Sequence, residues 1–214
     1  IDCEFNKKMI HLNIESICYT QCHFKNNIWF FDKKDISKTD NIYNLCFDYC
    51  TFEEEFNCDF YADNMPRCNI TALNIQNSTF KKSIKFNKCN INSSYMFSNN
   101  TIFGTSDFED ITFKEAYFIR NKFNDVVSFK QSYFDSFTFK ENTFDKLAIF
   151  EDTTFKSKLN LKGNIFKDEI NFLGIKNENG KSLETANIVN RETARIIKHS
   201  FEKLDNIIEA NKFY

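Results

Sequence analysis

The chain has 214 residues with a formal net charge of -2, and aromatic residues make up 17% of it. This size fits one domain with an appendage, and the nearly neutral charge excludes a general nucleic-acid binder, which needs a strongly basic surface. With 27 Phe, 4 Gly and 1 Pro and no long apolar run, the sequence also excludes disorder, a collagen-like chain and a membrane-spanning helix within these residues.

Residues 1–18 predict an N-terminal strand or cap, because Ile10, Leu12 and Ile14 alternate with polar residues at the period of a β-strand. From residue 19 to 173, a large apolar residue then returns at every fifth or sixth position. A helix repeats at 3.6 residues and a strand at 2, so this spacing predicts the short sides of a wound coil.

The number of sides follows from Asn121, Asn142 and Asn164, which each stand two positions before a large apolar residue. They recur every 21 or 22 residues, which equals four steps and predicts a four-sided coil. We expect their amides to pair along the core, as in other asparagine ladders. Phe108, Phe129, Phe150 and Phe172 have the same interval and are expected to stack on one side. The inward positions predicted upstream are Tyr19, Phe24, Phe30, Ile36, Ile42, Phe47, Phe52, Phe60, Met65, Ile70, Ile75, Phe80, Phe86, Ile91, Phe97 and Phe103.

Two irregularities interrupt this spacing. Residues 32–41 are polar, and the step from Phe52 to Phe60 spans eight residues. We therefore predict a weak wall near 32–41 and a bulge or short loop over 53–59.

This repeat resembles that of the pentapeptide repeat family, whose motif has a small residue two positions before a central large apolar one. The matching pairs are Ser106 with Phe108, Ala116 with Phe118, Ser132 with Phe134, Ala148 with Phe150 and Thr153 with Phe155. The resemblance covers roughly residues 19–172 and departs from the family pattern in its six-residue steps and in Phe replacing Leu. It implies an all-β solenoid, namely a right-handed quadrilateral β-helix.

Residues 174–214 predict a polar loop followed by an amphipathic helix that caps the solenoid. Ala194, Ile197, Phe201, Leu204 and Ile208 recur at steps of three and four, and Asn190 suits the N-cap. The same apolar stripe is a candidate interface. The segment from Asn190 to Tyr214 is similar to one that leads to membrane-spanning helices in larger pentapeptide repeat proteins. Because the chain begins at Ile1 rather than Met and ends in helix-like sequence, we expect a fragment of a longer protein.

The eight cysteines allow a zinc site at the pairs Cys18-x3-Cys22 and Cys46-x3-Cys50, or disulfides. The register favours a simpler interpretation, in which most of them are packing thiols two positions before a central residue. Those thiols are Cys22, Cys50, Cys58, Cys68 and Cys89. We expect Cys18 and Cys46 to point outward as reactive thiols, in a reducing cytoplasm.

Six acidic residues without an intervening base are the candidate partner-binding cluster: Asp48, Glu53, Glu54, Glu55, Asp59 and Asp63. A solvated wall is the simpler explanation of these acids and is favoured over a binding site. Some pentapeptide repeat proteins mimic DNA and occupy DNA gyrase, which needs a strongly negative rod, whereas residues through Phe172 hold 24 acids and 21 bases.

The leading hypothesis is a non-catalytic protein-binding or scaffold module, the cytoplasmic and soluble part of a larger chain. The three histidines, His11, His23 and His199, lie in no recognisable catalytic motif, and the chain has no phosphate loop or dinucleotide fingerprint. We therefore expect no enzyme activity, no cofactor and no direct contact with nucleic acid. The expected partner is another protein or a second copy, which would bind through a solenoid end or the C-terminal helix. A downstream segment would supply any membrane tether. A DNA mimic that regulates a topoisomerase and a zinc protein are the alternatives.

Overall fold

The computed structural model describes residues 3–5, 9–10, 16–29, 41–59 and 67–214. In these residues the chain forms a β-solenoid of stacked parallel coils, followed by a short helical segment at the C-terminus. The solenoid predicted from the five- and six-residue steps and the C-terminal helix predicted from the steps of three and four are thus confirmed. Some predicted residues lie outside the described ranges, namely Phe30, Ile36, Phe60 and Met65 of the repeat and Leu12 and Ile14 of the N-terminal strand.

The strands in the described ranges are short, apart from those of one sheet. In chain order they are β1 (Cys3–Phe5), β2 (Met9–Ile10), β3 (Ser16–Thr20), β4 (Cys22–Phe24), β5 (Ile28–Trp29), β6 (Asn41–Asp48), β7 (Thr51–Phe52), β8 (Phe56–Asp59), β9 (Cys68–Gln76), β10 (Thr79–Phe80), β11 (Ile84–Asn87), β12 (Cys89–Ser98), β13 (Thr101–Ile102), β14 (Ser106–Asp107), β15 (Thr112–Ile119), β16 (Lys122–Phe123), β17 (Val127–Ser128), β18 (Tyr133–Lys140), β19 (Thr143–Phe144), β20 (Ala148–Ile149), β21 (Thr154–Phe155), β22 (Ile165–Phe166), β23 (Ile170–Asn171) and β24 (Lys176–Asn177).

Every third strand belongs to the same sheet, which makes three parallel sheets of eight strands in the described part of the chain. Sheet A runs from β1 to β22, sheet B from β2 to β23 and sheet C from β3 to β24. Sheet C has the longest strands, and the register of β12 shifts between Ile91 and Ser94, which is typical of a β-bulge. Ile91 and Phe97, on either side of this bulge, are both buried.

The first coils are longer than the repeat predicts. Cys50 and Ser78 occupy equivalent places 28 residues apart, whereas Asn100 and Asn121 are 21 apart. The bulge predicted over 53–59 is wrong, because β8 continues sheet B there, with Phe56 aligned to Ile84 and Cys58 to Phe86. The additional residues of that coil therefore lie after Asp59. Cys58 consequently takes the central position rather than the one two places before it.

The inward residue of β13 is also different from the prediction. Ile102 aligns with Phe80 and Phe123 and is fully buried, whereas the side chain of Phe103 is 55% exposed. The repeat assigned Phe103 to the core because it lies six residues after Phe97 and five before Phe108. In a strand adjacent side chains point to opposite faces, so only one of the two enters the core.

The core consists of stacked phenylalanine rings. Phe108, Phe129, Phe150 and Phe172 form one column, with ring centroids 5.1–5.3 Å apart between neighbours. Columns in the other sheets meet this one edge to face, as for Phe118 and Phe129 at 5.1 Å. Both arrangements are favourable for aromatic rings, and burial of each ring stabilises the fold by about 2–3 kcal/mol.

The corners of the coils are turned by residues in the left-handed conformation. Arg120, Glu141 and Gly163 have φ angles of 53°, 58° and 80°, and each immediately precedes one of the predicted ladder asparagines. A second corner repeats in the same way at Gln131 and other positions of the described chain. Because most of these corner residues are not glycine, the sequence did not reveal them.

The C-terminal segment begins with a 3-10 turn at Thr185–Asn187 and continues as α1 (Arg191–Lys203), α2 (Ile207–Ala210) and a last 3-10 turn at Asn211–Phe213. Asn190 caps α1 as predicted, since its side chain accepts a hydrogen bond from the Thr193 N–H at 2.9 Å. The prediction of one helix reaching Ile208 is wrong. Asp205 has a φ of 54°, which ends the helix and allows Phe213 to pack back on Phe201.

Candidate protein-binding surface

The three ladder asparagines lie in one buried column at the corner that precedes sheet A. Nδ2 of Asn121 donates to Oδ1 of Asn142 at 3.0 Å, and Nδ2 of Asn142 donates to Oδ1 of Asn164 at 2.9 Å. Each Nδ2 also donates to a backbone carbonyl, that of Phe97 for Asn121 and that of Phe118 for Asn142. The ladder is a structural element that closes the coil, and its groups are buried away from any ligand.

The same column extends upstream further than the sequence indicated. Asn100 donates to Asn121 Oδ1 at 3.1 Å, and Oδ1 of Asn100 accepts from the N–H of Ser78 at 2.9 Å. The hydroxyl of Ser78 in turn accepts from the N–H of Cys50 at 3.0 Å. Asn100 was missed because the prediction centred that side on Phe103 instead of Ile102. Its interval of 21 residues to Asn121 was the available signal.

The acids of the candidate cluster that the structure describes lie next to strands of different sheets. Asp48 ends β6 and accepts from the Asn77 amide at 2.8 Å, while Glu53 follows β7. Glu54 is exposed and Glu55 is half-buried; Asp59 ends β8, and Asp63 lies outside the described residues.

Glu53 is neutralised within this group. Its carboxylate lies 2.8 Å from Lys81 Nζ and 2.7 Å from His23 Nε2, and the hydrogen bond from Lys81, followed by that with His23, lowers the pKa of Glu53.

Lysines neutralise the outer walls in the same manner. Asp135 lies between Lys114 and Lys156, and the hydrogen bonds from both lysines lower the pKa of its carboxyl group. Asp145 pairs with Lys167 at 2.7 Å. Since the partners come from successive coils, the described walls have alternating charge rather than one continuous negative face. A DNA mimic needs such a negative face.

Some of the described cysteines point into the core and others point to the outer side of the coil. Cys22, Cys50, Cys58 and Cys89 are buried, and burial raises the pKa of the Cys50 thiol to about 11. Cys18 and Cys46 lie on the outer side, aligned on adjacent strands of sheet C, and the structure joins them in a disulfide. The expectation that these two are reactive free thiols is therefore wrong. The outward direction was predicted, but the prediction did not consider that their 28-residue interval aligns them on adjacent strands.

The two Cys-x3-Cys pairs do not converge on a metal site. Cys18 and Cys46 point away from the core, whereas Cys22 and Cys50 point into it. No group of three or more His, Cys, Asp or Glu side chains that could hold a metal ion occurs among the described residues.

The cap is fixed to the last coil by buried polar contacts. Thr193 Oγ1 accepts from the N–H of Leu161 at 2.8 Å, and the hydroxyl of Ser200 donates to the carbonyl of Ile170. Ile197 and Phe201 of the predicted stripe are buried against the solenoid end, and Ala194 is 8% exposed. This half of the stripe covers the core.

The remaining half of the stripe lies on the surface. Leu204 is 47% exposed and Ile208 is 80% exposed, because both follow the end of α1. In the described residues, seven of the nine large apolar side chains that are exposed lie at this end of the molecule. They are Ile165, Leu173, Val189, Leu204, Ile207, Ile208 and Tyr214, while Tyr49 and Phe103 lie elsewhere. Isolated apolar residues are common on surfaces, whereas these are concentrated at one end of the described chain.

We call Leu204, Ile207 and Ile208 the α2 patch. Two grooves flank α1 near this patch. One of about 480 Å³ lies between β22 and α1, and one of about 410 Å³ is lined by Val189, Ala194, Arg195 and Tyr214, among others. Lys198 Nζ lies 3.5 Å above the ring of Tyr214, so this aromatic side chain is held against α1.

Comparison with protein-family models, with curated proteins and with solved structures finds no match to this chain. None of the helices in the described residues has the length and apolar character that crossing a bilayer requires.

Proposed function

We propose that the chain is a non-catalytic protein-binding or scaffold module that binds its partner through the C-terminal cap. The observation that carries this proposal is the concentration of exposed apolar side chains around α2, beyond a core whose polar groups are largely satisfied internally. Protein interfaces need such an apolar centre surrounded by polar residues. The ion-paired walls of sheets A to C support binding at the cap rather than along the rod.

We also propose that the solenoid is a right-handed quadrilateral β-helix of the pentapeptide repeat type. The bulge of β12 supports four sides, because it bends sheet C between the columns of Ile91 and Phe97, while sheets A and B supply the other two. The intervals of 21 and 22 residues between successive ladder asparagines fit four steps of five or six residues. A crystal structure of the chain tests both the cross-section and the handedness.

The test of the binding function compares three immobilised proteins: the wild-type chain, Ile207→Asp/Ile208→Asp in the α2 patch, and Phe103→Asp on the wall. Phe103 is a matched control because it is also exposed but lies far from the cap in sequence. We expect proteins from the native source to be retained by the wild-type chain and Phe103→Asp and lost from the double variant.

Three outcomes contradict the proposal. The first is equal retention of partners by all three proteins. The second is no retention at micromolar bait, together with a monomer in sedimentation velocity, and the third is a measured turnover that a point substitution abolishes while the fold remains intact. Inhibition of gyrase supercoiling by the wild-type chain would instead support the DNA-mimic alternative, which the paired charges of the walls do not favour.

A further inference from the structure

Strand β22 is the last strand of sheet A, and no further strand pairs with it in the described part of the chain. The N–H groups of Ile165 and Lys167 donate to the carbonyls of Asn142 and Phe144 at 2.8 and 2.9 Å. Because successive backbone groups of a strand point to opposite sides, the N–H and C=O of Phe166 point away from β19.

Three backbone groups, namely the N–H and C=O of Phe166 and the C=O of Asn164, make no backbone hydrogen bond among the described residues. Sheet A therefore ends with one donor and two acceptors in the arrangement that a parallel strand requires. Unpaired groups of this kind form a template for another chain.

The other two sheets each have a contact at this end. In sheet B, the carbonyl of Ile170 accepts from the hydroxyl of Ser200 in α1. In sheet C, Lys176 of β24 forms an antiparallel bridge with Ser182, where the chain returns. No contact of this kind to the backbone edge of β22 occurs among the described residues.

The groove of about 480 Å³ lies directly beside this edge, between β22 and α1. Its apolar lining includes Phe166, Ile170 and Ile196, all of them half-buried. The volume is in the range of clefts that hold small ligands or a few residues of an extended peptide.

The groove contains two carboxylates and two lysines, so any preference for an acidic residue is local to one lysine. Glu192 accepts from the Gly163 N–H at 3.2 Å, Asp168 accepts from the Glu169 N–H at 2.9 Å, and Lys167 pairs with Asp145 at 2.7 Å. Lys203 lines the groove and pairs with no carboxylate among the described residues.

We propose that the β22 groove binds an extended segment of a partner protein, which joins sheet A as a parallel strand and has an apolar residue followed by an acidic one. Two N–H groups of the segment donate to the carbonyls of Asn164 and Phe166, and one of its carbonyls accepts from the Phe166 N–H. Its apolar side chain stacks on Phe166, and the acidic residue faces Lys203. Strand addition of this kind is a recurring mode of peptide recognition. The inference rests on the proposed protein-binding function.

The chain itself supplies a probe with this pattern. Residues 141–146, Glu-Asn-Thr-Phe-Asp-Lys, include β19, which is the strand stacked beneath β22. The experiment titrates the acetylated and amidated hexapeptide into the ¹⁵N-labelled full chain and follows its amide resonances. A control peptide is N-methylated at its Thr and Asp, which removes the two donors and keeps the side chains. A second control is the protein variant Lys203→Glu.

We expect saturable shifts confined to residues 164–167 and the adjacent face of α1 around Ile196. The N-methylated peptide should bind at least about tenfold more weakly, the equivalent of about one lost hydrogen bond. Lys203→Glu should weaken binding at least about fivefold through charge repulsion.

Strand addition is wrong if both peptides bind equally, if the shifts lie elsewhere, or if none occur up to about 5 mM peptide. The variant Ile207→Asp/Ile208→Asp keeps the β22 groove and should bind the peptide as the wild-type chain does. If the peptide fails to bind while this variant still loses its captured partners, the strand-addition inference fails and the protein-binding function stands.

Discussion

Asn121 and Asn142 are joined by two hydrogen bonds to a single oxygen. Oδ1 of Asn142 accepts from Nδ2 of Asn121 at 3.0 Å and from the backbone N–H of Asn121 at 3.0 Å. One side chain therefore links two coils through both side-chain and backbone groups. The same pair of contacts recurs between Asn142 and Asn164.

Removing this link should destabilise the solenoid. Asn142→Leu keeps the volume but leaves the N–H of Asn121 without a partner, at about 1–3 kcal/mol, and removes one hydrogen bond to the carbonyl of Phe118. We expect a loss of about 2–5 kcal/mol in the free energy of unfolding, measured by chemical denaturation. Asn179→Ala, at an exposed site, is the control and should change stability by less than about 0.5 kcal/mol. A loss of that small size in Asn142→Leu would show that the ladder is dispensable.

The register at β13 predicts opposite results for two adjacent residues. Ile102→Ala removes a fully buried side chain and should cost about 2–5 kcal/mol of unfolding free energy. Phe103→Ala removes a larger side chain that is 55% exposed and should cost less than about 1 kcal/mol. Thermal or urea denaturation of both variants decides between the two registers. A larger loss of unfolding free energy in Phe103→Ala than in Ile102→Ala would indicate that Phe103, rather than Ile102, is the core residue.

The left-handed corners predict a stabilising glycine. Glu141 has a φ of 58°, a conformation that costs a residue with a Cβ about 1–2 kcal/mol, and Gly163 already occupies the equivalent corner one coil later. After subtracting the entropy of glycine in the unfolded chain, Glu141→Gly should stabilise the fold by about 0.5–1 kcal/mol. Lys140→Gly, in the adjacent strand position, should destabilise it by a similar amount. A change in unfolding free energy of the same sign for both glycine variants, measured by urea denaturation, would contradict this account.

The sequence predicted most of the winding because the packing requirement repeats along the chain. Every coil must bury an apolar residue on each side, so the interval between Phe108 and Phe129 recurs along the chain. A recurring interval can be recognised in the sequence without knowing which residues are neighbours in space. The same logic found Asn142 and Asn164, whose amides have no alternative partners in an apolar interior.

The errors occurred where the spacing does not determine the choice. Ile102 and Phe103 are both apolar, and only the alignment with Phe80 decides which one points inward. The end of α1 shortly before Asp205 depends on local backbone conformation, which the apolar pattern does not encode. The stripe therefore ran on to Leu204 and Ile208, which follow the end of α1 and are exposed.

The Asp135 carboxylate predicts a dependence of stability on pH. Its pKa is lowered by hydrogen bonds from Lys114 and Lys156, so it stabilises the fold above the unfolded-state pKa of about 3.9. This contribution is lost as the pH falls through the lower pKa of the folded state. Asp135→Asn should therefore be less stable than the wild-type chain at pH 7, with a difference that shrinks below about pH 4. Titration of the Asp135 carboxyl carbon by NMR checks the direction directly. Its pKa should rise in Lys156→Met, and an unchanged value there would remove Lys156 from the explanation.

The contact between Thr193 and Leu161 predicts how the cap is attached. Thr193→Val keeps the shape but removes the acceptor of the buried Leu161 N–H, which should cost about 1–3 kcal/mol. Because the cap can open locally, the same loss should appear as an approximately 5- to 150-fold faster hydrogen exchange of the Leu161 amide. Thr193→Ser retains the hydroxyl and should leave this exchange close to that of the wild-type chain, although it loses a methyl group. Equal acceleration in both variants would mean that packing of the threonine methyl, rather than the hydrogen bond, holds α1 on the solenoid. In that case the hydrogen bond between Thr193 and Leu161 would not explain why the cap keeps the position that leaves the edge of β22 open.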